Sequence, residues 1–168
     1  MKRILFLDFD GVLNTYNYTK RLVAEGKPYR DEYGDLFDPE AVHSLKTIID
    51  SVPDAKIVIT STWKDTIGAD KVRQLWKDRD MPGKIYGMTK PFIPDFFSMD
   101  SDFELAITAG KGHEVRQWLV EHAKGKCRYV ILDDMSYFLP EQESHQVKVD
   151  PFLGITEADA VKTIGLLE

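Results

Sequence analysis

The chain has one cysteine, Cys127, among its 168 residues. That excludes a disulfide framework and a thiolate zinc cluster. Its four histidines, His43, His113, His122 and His145, lack the pairing of metal ligands, so a surface or helix-face role is expected for each. No apolar run is long enough to span a bilayer. The opening MKRILFL begins as a secretory leader does, with Lys2 and Arg3 ahead of apolar residues. Asp8 then cuts the run short of the roughly 7–15 residues of a leader's central region, and we expect a cytoplasmic protein with no membrane partner. Positive charge is not in excess: 22 Lys and Arg stand against 28 Asp and Glu, for a net charge of −6 at pH 7. This balance weighs against a sequence-independent grip on a long polyphosphate backbone, but not against a local basic pocket. There is no internal repeat and no low-complexity tract. The GKG at 110–112 lacks the upstream glycine spacing and following Ser or Thr of a P-loop. Nothing in the composition specifies an oligomeric state.

What is present is an alternation of two periods. ILFLD (4–8), KIVIT (56–60) and RYVILDD (128–134) read as strands apolar on both faces, the mark of a buried parallel sheet. HQVKVD (145–150) and the weaker KIYGM (84–88) bring the strands to five. Between them lie helical patterns. Asp38 caps a helix that has Pro39 at its first position and Val42, Leu45, Ile48, Ile49 and Val52 at helical spacing. A second helix is expected over 69–79 with Val72, Leu75 and Trp76 inward. A third runs from about Gly112 to Ala123 with Val115, Trp118 and Leu119 inward. The last begins at Thr156, has Asp159 in a capping-box position, and is expected to bury Ala160, Val161, Ile164 and Leu167. The pattern predicts one α/β domain over 1–168, a doubly wound and mainly parallel five-stranded sheet. Two segments interrupt the alternation, 15–37 and 88–111, and both would lie over the carboxyl edge of the sheet.

Such sheets bind ligands at the carboxyl ends of their strands. Asp8 and Asp10 follow the first strand, Thr60 and Ser61 the second, and Asp133 and Asp134 the fourth, while Lys111 precedes the third helix. Each alone has an ordinary reading, as a turn, a cap, a strand former or a loop charge. Together they gather four carboxylates, which repel unless a cation lies among them. An all-oxygen ligand set suits Mg²⁺ with a phosphate, and a hydroxyl and an ammonium suit phosphoryl oxygens. The constellation therefore predicts Mg²⁺-dependent phosphoryl transfer.

DFDGVLN, IVITST, Lys111 and VILDD resemble the four motifs of the haloacid dehalogenase (HAD) superfamily. The tail VDPFLGITEADAVKTIGLL, with TSTWK and GHEVRQWL, is similar to the small HAD domains of Swiss-army-knife RNA repair proteins. The resemblance implies a Rossmann-like HAD core. It makes Asp8 the nucleophile that forms an aspartyl-phosphate, and Asp10 the acid for the leaving oxygen and then the base for water. It implies Mg²⁺ held by the Asp8 side chain, the Asp10 backbone carbonyl and Asp133, with Asp134 direct or through water. Thr60 would hold a phosphoryl oxygen, a role Ser61 could share. Lys111 would neutralise nucleophile and phosphoryl group, with Lys90 the other lysine in reach. Gly11 would let backbone approach the phosphate. Dehalogenases of the superfamily lack the second Asp, so Asp10 points to phosphate ester hydrolysis.

The segment 15–37 is read as a small cap insert. Tyr16, Tyr18, Tyr29 and Tyr33 interleave there with Lys20, Arg21, Lys27 and Arg30. They either form the cap's own aromatic core or present a surface to a nucleotide or nucleic-acid end. Trp63, Trp76 and Trp118 read as core residues, with Trp63 notable for following the second motif. The expected partner is a phosphorylated small molecule or nucleotide, or an oligonucleotide end. Three alternatives remain. Phosphotransferases and mutases share every motif. A receiver-type phospho-acceptor module carries its acidic pair early and its acceptor Asp mid-chain, the reverse of the order here. A non-catalytic binding domain would have no reason to keep self-repelling carboxylates.

Overall fold

A computed structural model describes residues 1–92, 110–124 and 126–168. Five strands form one parallel sheet: β1 (Lys2–Leu7), β2 (Lys56–Ile59), β3 (Ile85–Met88), β4 (Cys127–Asp133) and β5 (Gln146–Lys148), in the order β3-β2-β1-β4-β5. The helices are α1 (Tyr16–Ala24), α2 (Pro39–Ser51), α3 (Trp63–Thr66), α4 (Ala69–Asp78), α5 (Gly110–His122) and α6 (Glu157–Leu167), with a 3₁₀ turn over Pro140–His145. The α/β fold is the one the alternation predicts. Of the interrupting segment 88–111, residues 93–109 lie outside the described residues.

Strand residues alternate between two cores. Leu5, Leu7, Ile57, Ile59, Val130 and Leu132 face α2, α4 and α6. Ile4, Phe6, Val58 and Ile131 face Val115 and Trp118 of α5. Full burial on both sides is why these strands lack a polar face.

One expectation is corrected. Val161 is 65% exposed, because a 100° step per residue carries it off the face on which Ala160, Thr163 and Leu167 are buried. Within the 15–37 segment, for which no element is predicted, α1 begins at Thr15, whose hydroxyl oxygen accepts from the Tyr18 N–H. The same hydroxyl donates to Asp38 (2.8 Å), and Asp38 caps α2, so two helix starts share one buried pair. Among the described residues no helix is long and apolar enough to cross a membrane.

Parallel register brings the strand ends into line. Leu7 pairs with Ile59 on one side and Leu132 on the other. Asp8 therefore falls between Thr60 and Asp133, and the Thr60 N–H donates to the Leu7 carbonyl while the Asp8 N–H donates to that of Leu132. The chain crosses from one half of the sheet to the other between β1 and β4, which is where such sheets open a crevice.

Candidate active site

Asp8 and Asp133 are buried, and the Lys111 ammonium donates to both, at 2.6 and 2.7 Å. Lys111 comes from the first turn of α5, which packs on one face of the same strands through Val115 and Trp118. Lys90 is exposed and is not drawn into this cluster. Asp133 also accepts from the Met135 N–H (2.8 Å), which fixes its rotamer.

Burial pushes the Asp8 carboxyl up to about 6; Asp133 adds to the rise and Lys111 opposes it. Asp133 is raised chiefly by burial, again against Lys111. Asp134, half-buried, is raised by burial and then by the charge of Asp8. Burial alone would lower Lys111, but the two carboxylates win and hold it above the ordinary lysine value.

Asp8, Asp133 and Asp134 can each place one oxygen within 4.8 Å of the others. One ammonium faces three carboxylates, so the ionised cluster is short of positive charge. Hard oxygen donors at this spacing, all with raised carboxyl groups, fit Mg²⁺. Gly11 helps make the space. Its φ is +73°, and a Cβ there would come within 2.7 Å of Asp134 Oδ2 and 2.9 Å of Pro151.

Asp10 is exposed, and its carboxylate lies outside that trio. The Trp63 indole N–H reaches both its oxygens at 3.1 Å, and the Asn14 amide donates to Oδ1 at 2.7 Å. Asn14 Oδ1 in turn accepts from the Gly11 N–H. The Asp10 side chain is thus held by two neutral donors, apart from the trio. Trp63 is both core and site: its ring meets Phe9 edge-on (5.6 Å) and leans on Phe37 (5.9 Å).

Thr60 and Ser61 are both fully buried. Ser61 Oγ accepts from the Trp63 N–H, whereas the Thr60 hydroxyl has no hydrogen-bond partner among the described residues. A buried hydroxyl left unpaired is costly unless a ligand atom completes it. Of the two, Thr60 is the one with capacity to spare.

Sequence reading missed three contributors. Asn14 and the Trp63–Asp10 contact carry no local signature. Lys64 is also buried, paired with Asp65 (2.9 Å) and with Glu114 of α5 (3.4 Å), which accepts from Thr89 (2.7 Å). A lysine directly after a helix-opening tryptophan gives no sign of burial.

The tyrosines of 15–37 do not share one core. Tyr33 is tied to the frame: its hydroxyl bonds Asp78, and Arg79 bonds Asp31 and the Gly34 and Asp35 carbonyls across the faces of Phe37 and Trp63. Arg30 pairs with Asp35. Tyr16 is 64% exposed and leans on Phe152.

A family model, the HAD domain in Swiss Army Knife RNA repair proteins, matches residues 4–160, and the chain belongs to that family. Among solved structures, a haloacid dehalogenase-like family hydrolase, SP0104 from Streptococcus pneumoniae, resembles it with 16% identity over 97% of this chain and 90% of that one, at a TM-score of 0.48. No curated protein sequence matches the chain.

Proposed function

We propose that the protein is a Mg²⁺-dependent phosphatase that hydrolyses a phosphomonoester through an aspartyl-phosphate. The observation that carries this is the Lys111 ammonium held between Asp8 and Asp133, with the unpartnered Thr60 hydroxyl on the next strand end. In this reading an Asp8 oxygen attacks phosphorus while the bond to the leaving oxygen breaks. Asp10 gives its proton to that oxygen, and the alcohol departs. Asp10 then takes a proton from water, the water oxygen attacks the aspartyl-phosphate, and the bond to Asp8 breaks to release inorganic phosphate. Lys111 and Thr60 hold phosphoryl oxygens, and Trp63 and Asn14 hold Asp10 in place. Asp8, Asp133, Asp134 and the Asp10 carbonyl would hold the Mg²⁺, which supplies positive charge to the transferring phosphoryl group.

The segment 15–37 is assigned as a small cap within a single domain. The family's place in RNA repair proteins favours a nucleotide or a nucleic-acid end as substrate. A screen of phosphomonoesters, including 3′- and 5′-phosphorylated oligonucleotides, tests the reading in Mg²⁺ and in chelator. Turnover is expected in Mg²⁺, its loss in EDTA, and its abolition by Asp8→Asn in protein that still unfolds cooperatively. Full turnover in EDTA by metal-free protein, or an active Asp8→Asn variant, overturns it.

A further inference from the structure

We propose that Tyr16, Phe152 and Lys20 form a leaving-group subsite beside Asp10 that takes the nucleoside part of a nucleotide, with the ring stacked on the two aromatics. The inference rests on the phosphatase reading for the identity of the leaving side, and on geometry for the rest.

A group leaving phosphorus with a proton from Asp10 lies within hydrogen-bond reach of Asp10. Among the described residues Asp10 lines two clefts. One is lined also by Arg30, Tyr33 and Trp63. Its polar groups are already engaged: Arg30 with Asp35, Tyr33 with Asp78, and the Trp63 N–H with Asp10 itself. The other is lined by Gly11, Asn14, Tyr16, Lys20, Asp35 and Pro151. Here Lys20 is in no ion pair among the described residues, and the Tyr16 ring is open.

Phe152 extends the aromatic surface. Its ring centroid lies 5.2 Å from that of Tyr16 at 46°, and it is 56% exposed. Two large aromatics left more than half exposed, side by side at the mouth of this cleft, form a place for a planar ring. The pair is also preorganised. The Tyr16 N–H donates to the Pro151 carbonyl (3.1 Å) and the Asn17 N–H to that of Phe152 (3.3 Å). Gly154, with φ +68°, has no space for a Cβ, which would lie 2.6 Å from Thr15. The start of α1 and the loop before α6 are therefore locked together, so little ordering cost falls on binding. Lys20 follows Tyr16 by one helical turn, on the same face, where it can meet a further phosphate. Asp35 lines the cleft as well, but its charge is matched by Arg30.

The test uses the full chain carrying Asp8→Asn, so that binding is read without turnover. Titration calorimetry in Mg²⁺ gives Kd for adenosine 5′- and 3′-monophosphate and for ribose 5-phosphate, with adenosine 3′,5′-bisphosphate as a fourth ligand. One or both adenosine monophosphates are expected to bind about tenfold tighter than the sugar phosphate, the usual scale of one stacked base. Tyr16→Ala and Phe152→Ala should each remove most of that ratio, and Tyr16→Phe should keep it. Lys20→Gln should remove the extra affinity for the bisphosphate. Val23→Ala, exposed on the same helix away from the cleft, serves as control. Equal Kd for base-bearing and base-free ligands overturns the subsite, as does a ratio that survives both alanine variants. A self-association that Phe152→Ala abolishes, with the ratio intact, would assign the pair to a second copy of the chain and also overturn it. Because the ratio is read without catalysis, failure of the phosphatase reading shows separately, as absent turnover by the unsubstituted protein.

Discussion

Asp10 is held between two neutral donors, and this sets what single substitutions should do. Asp10→Asn removes the proton carrier and should lower kcat on alkyl phosphates by about 10²–10⁴-fold, with a smaller loss on 4-nitrophenyl phosphate, whose leaving group needs no proton. Trp63→Phe keeps a ring between Phe9 and Phe37 but deletes the N–H that spans both Asp10 oxygens. A charge-assisted bond of this kind corresponds to about tenfold in rate if the carboxylate loses its aim. We expect that loss on alkyl phosphates, a smaller one on the nitrophenyl ester, and a melting temperature within a few degrees of the parent. Equal losses on both esters would remove Trp63 from the leaving-group step. The difference between these residues also shows what a sequence can disclose. Asp8, Asp10, Thr60, Asp133 and Lys111 were legible because each follows a strand or opens a helix, and strand ends share an edge. The Trp63–Asp10 contact joins residues 53 apart in sequence, and no spacing rule reports where an indole N–H will point.

At the level of elements, the buried Lys64 ties separate parts of the fold together. It lies on α3 and joins Glu114 of α5, and Glu114 accepts from Thr89 at the end of β3. Glu114 sits one helical turn after Lys111, so this buried pair helps fix the turn that delivers the ammonium to Asp8. Lys64→Met leaves Glu114 with only the Thr89 hydroxyl, and breaking one side of a buried pair costs about 3–5 kcal/mol. Asp65 and Glu114 retain some access to solvent, so the lower end of that range is expected in urea denaturation. The double variant Lys64→Met, Glu114→Gln should recover part of the loss, and a double variant less stable than the single one would contradict the pairing. Helices with caps were legible: Asp38–Pro39 and the Thr156–Asp159 box start α2 and α6 as read. Helix α1 was not, because its mean hydropathy is low and only Leu22 of its residues is buried. Its start depends on Thr15 bonding Asp38, a contact made after α2 is placed.

On the scale of the whole molecule, the acidic edge couples stability to pH and to metal. The doubly wound parallel sheet was legible in the alternation, yet the charge balance at its edge was not, since burial decides which carboxyl groups rise. Asp8 rises from 3.8 to about 6 on folding. A raised carboxyl contributes stability that is present below its unfolded value and is lost as pH climbs through its folded one. The window is thus about pH 4 to 6, and Asp133 and Asp134, also raised, act in the same direction. Lys111, raised above its ordinary value, stays charged throughout and does not vary there. Asp31, lowered despite burial by its bonds to Arg79 and to the Tyr33 and Gly34 N–H groups, changes its contribution only below that window. In EDTA, then, the melting temperature should fall between pH 4.5 and pH 7, and Asp8→Asn should flatten the fall. Mg²⁺ must displace the same protons, so it should raise the melting temperature clearly at pH 7 and little at pH 4.5. A scanning-calorimetry series over this range, with and without Mg²⁺, reads all three effects without any substrate. A melting temperature that climbs steadily from pH 4.5 to 7 in EDTA, or a Mg²⁺ increment that is the same at both ends, would mean that the three carboxylates are not the groups that couple folding to protons and metal.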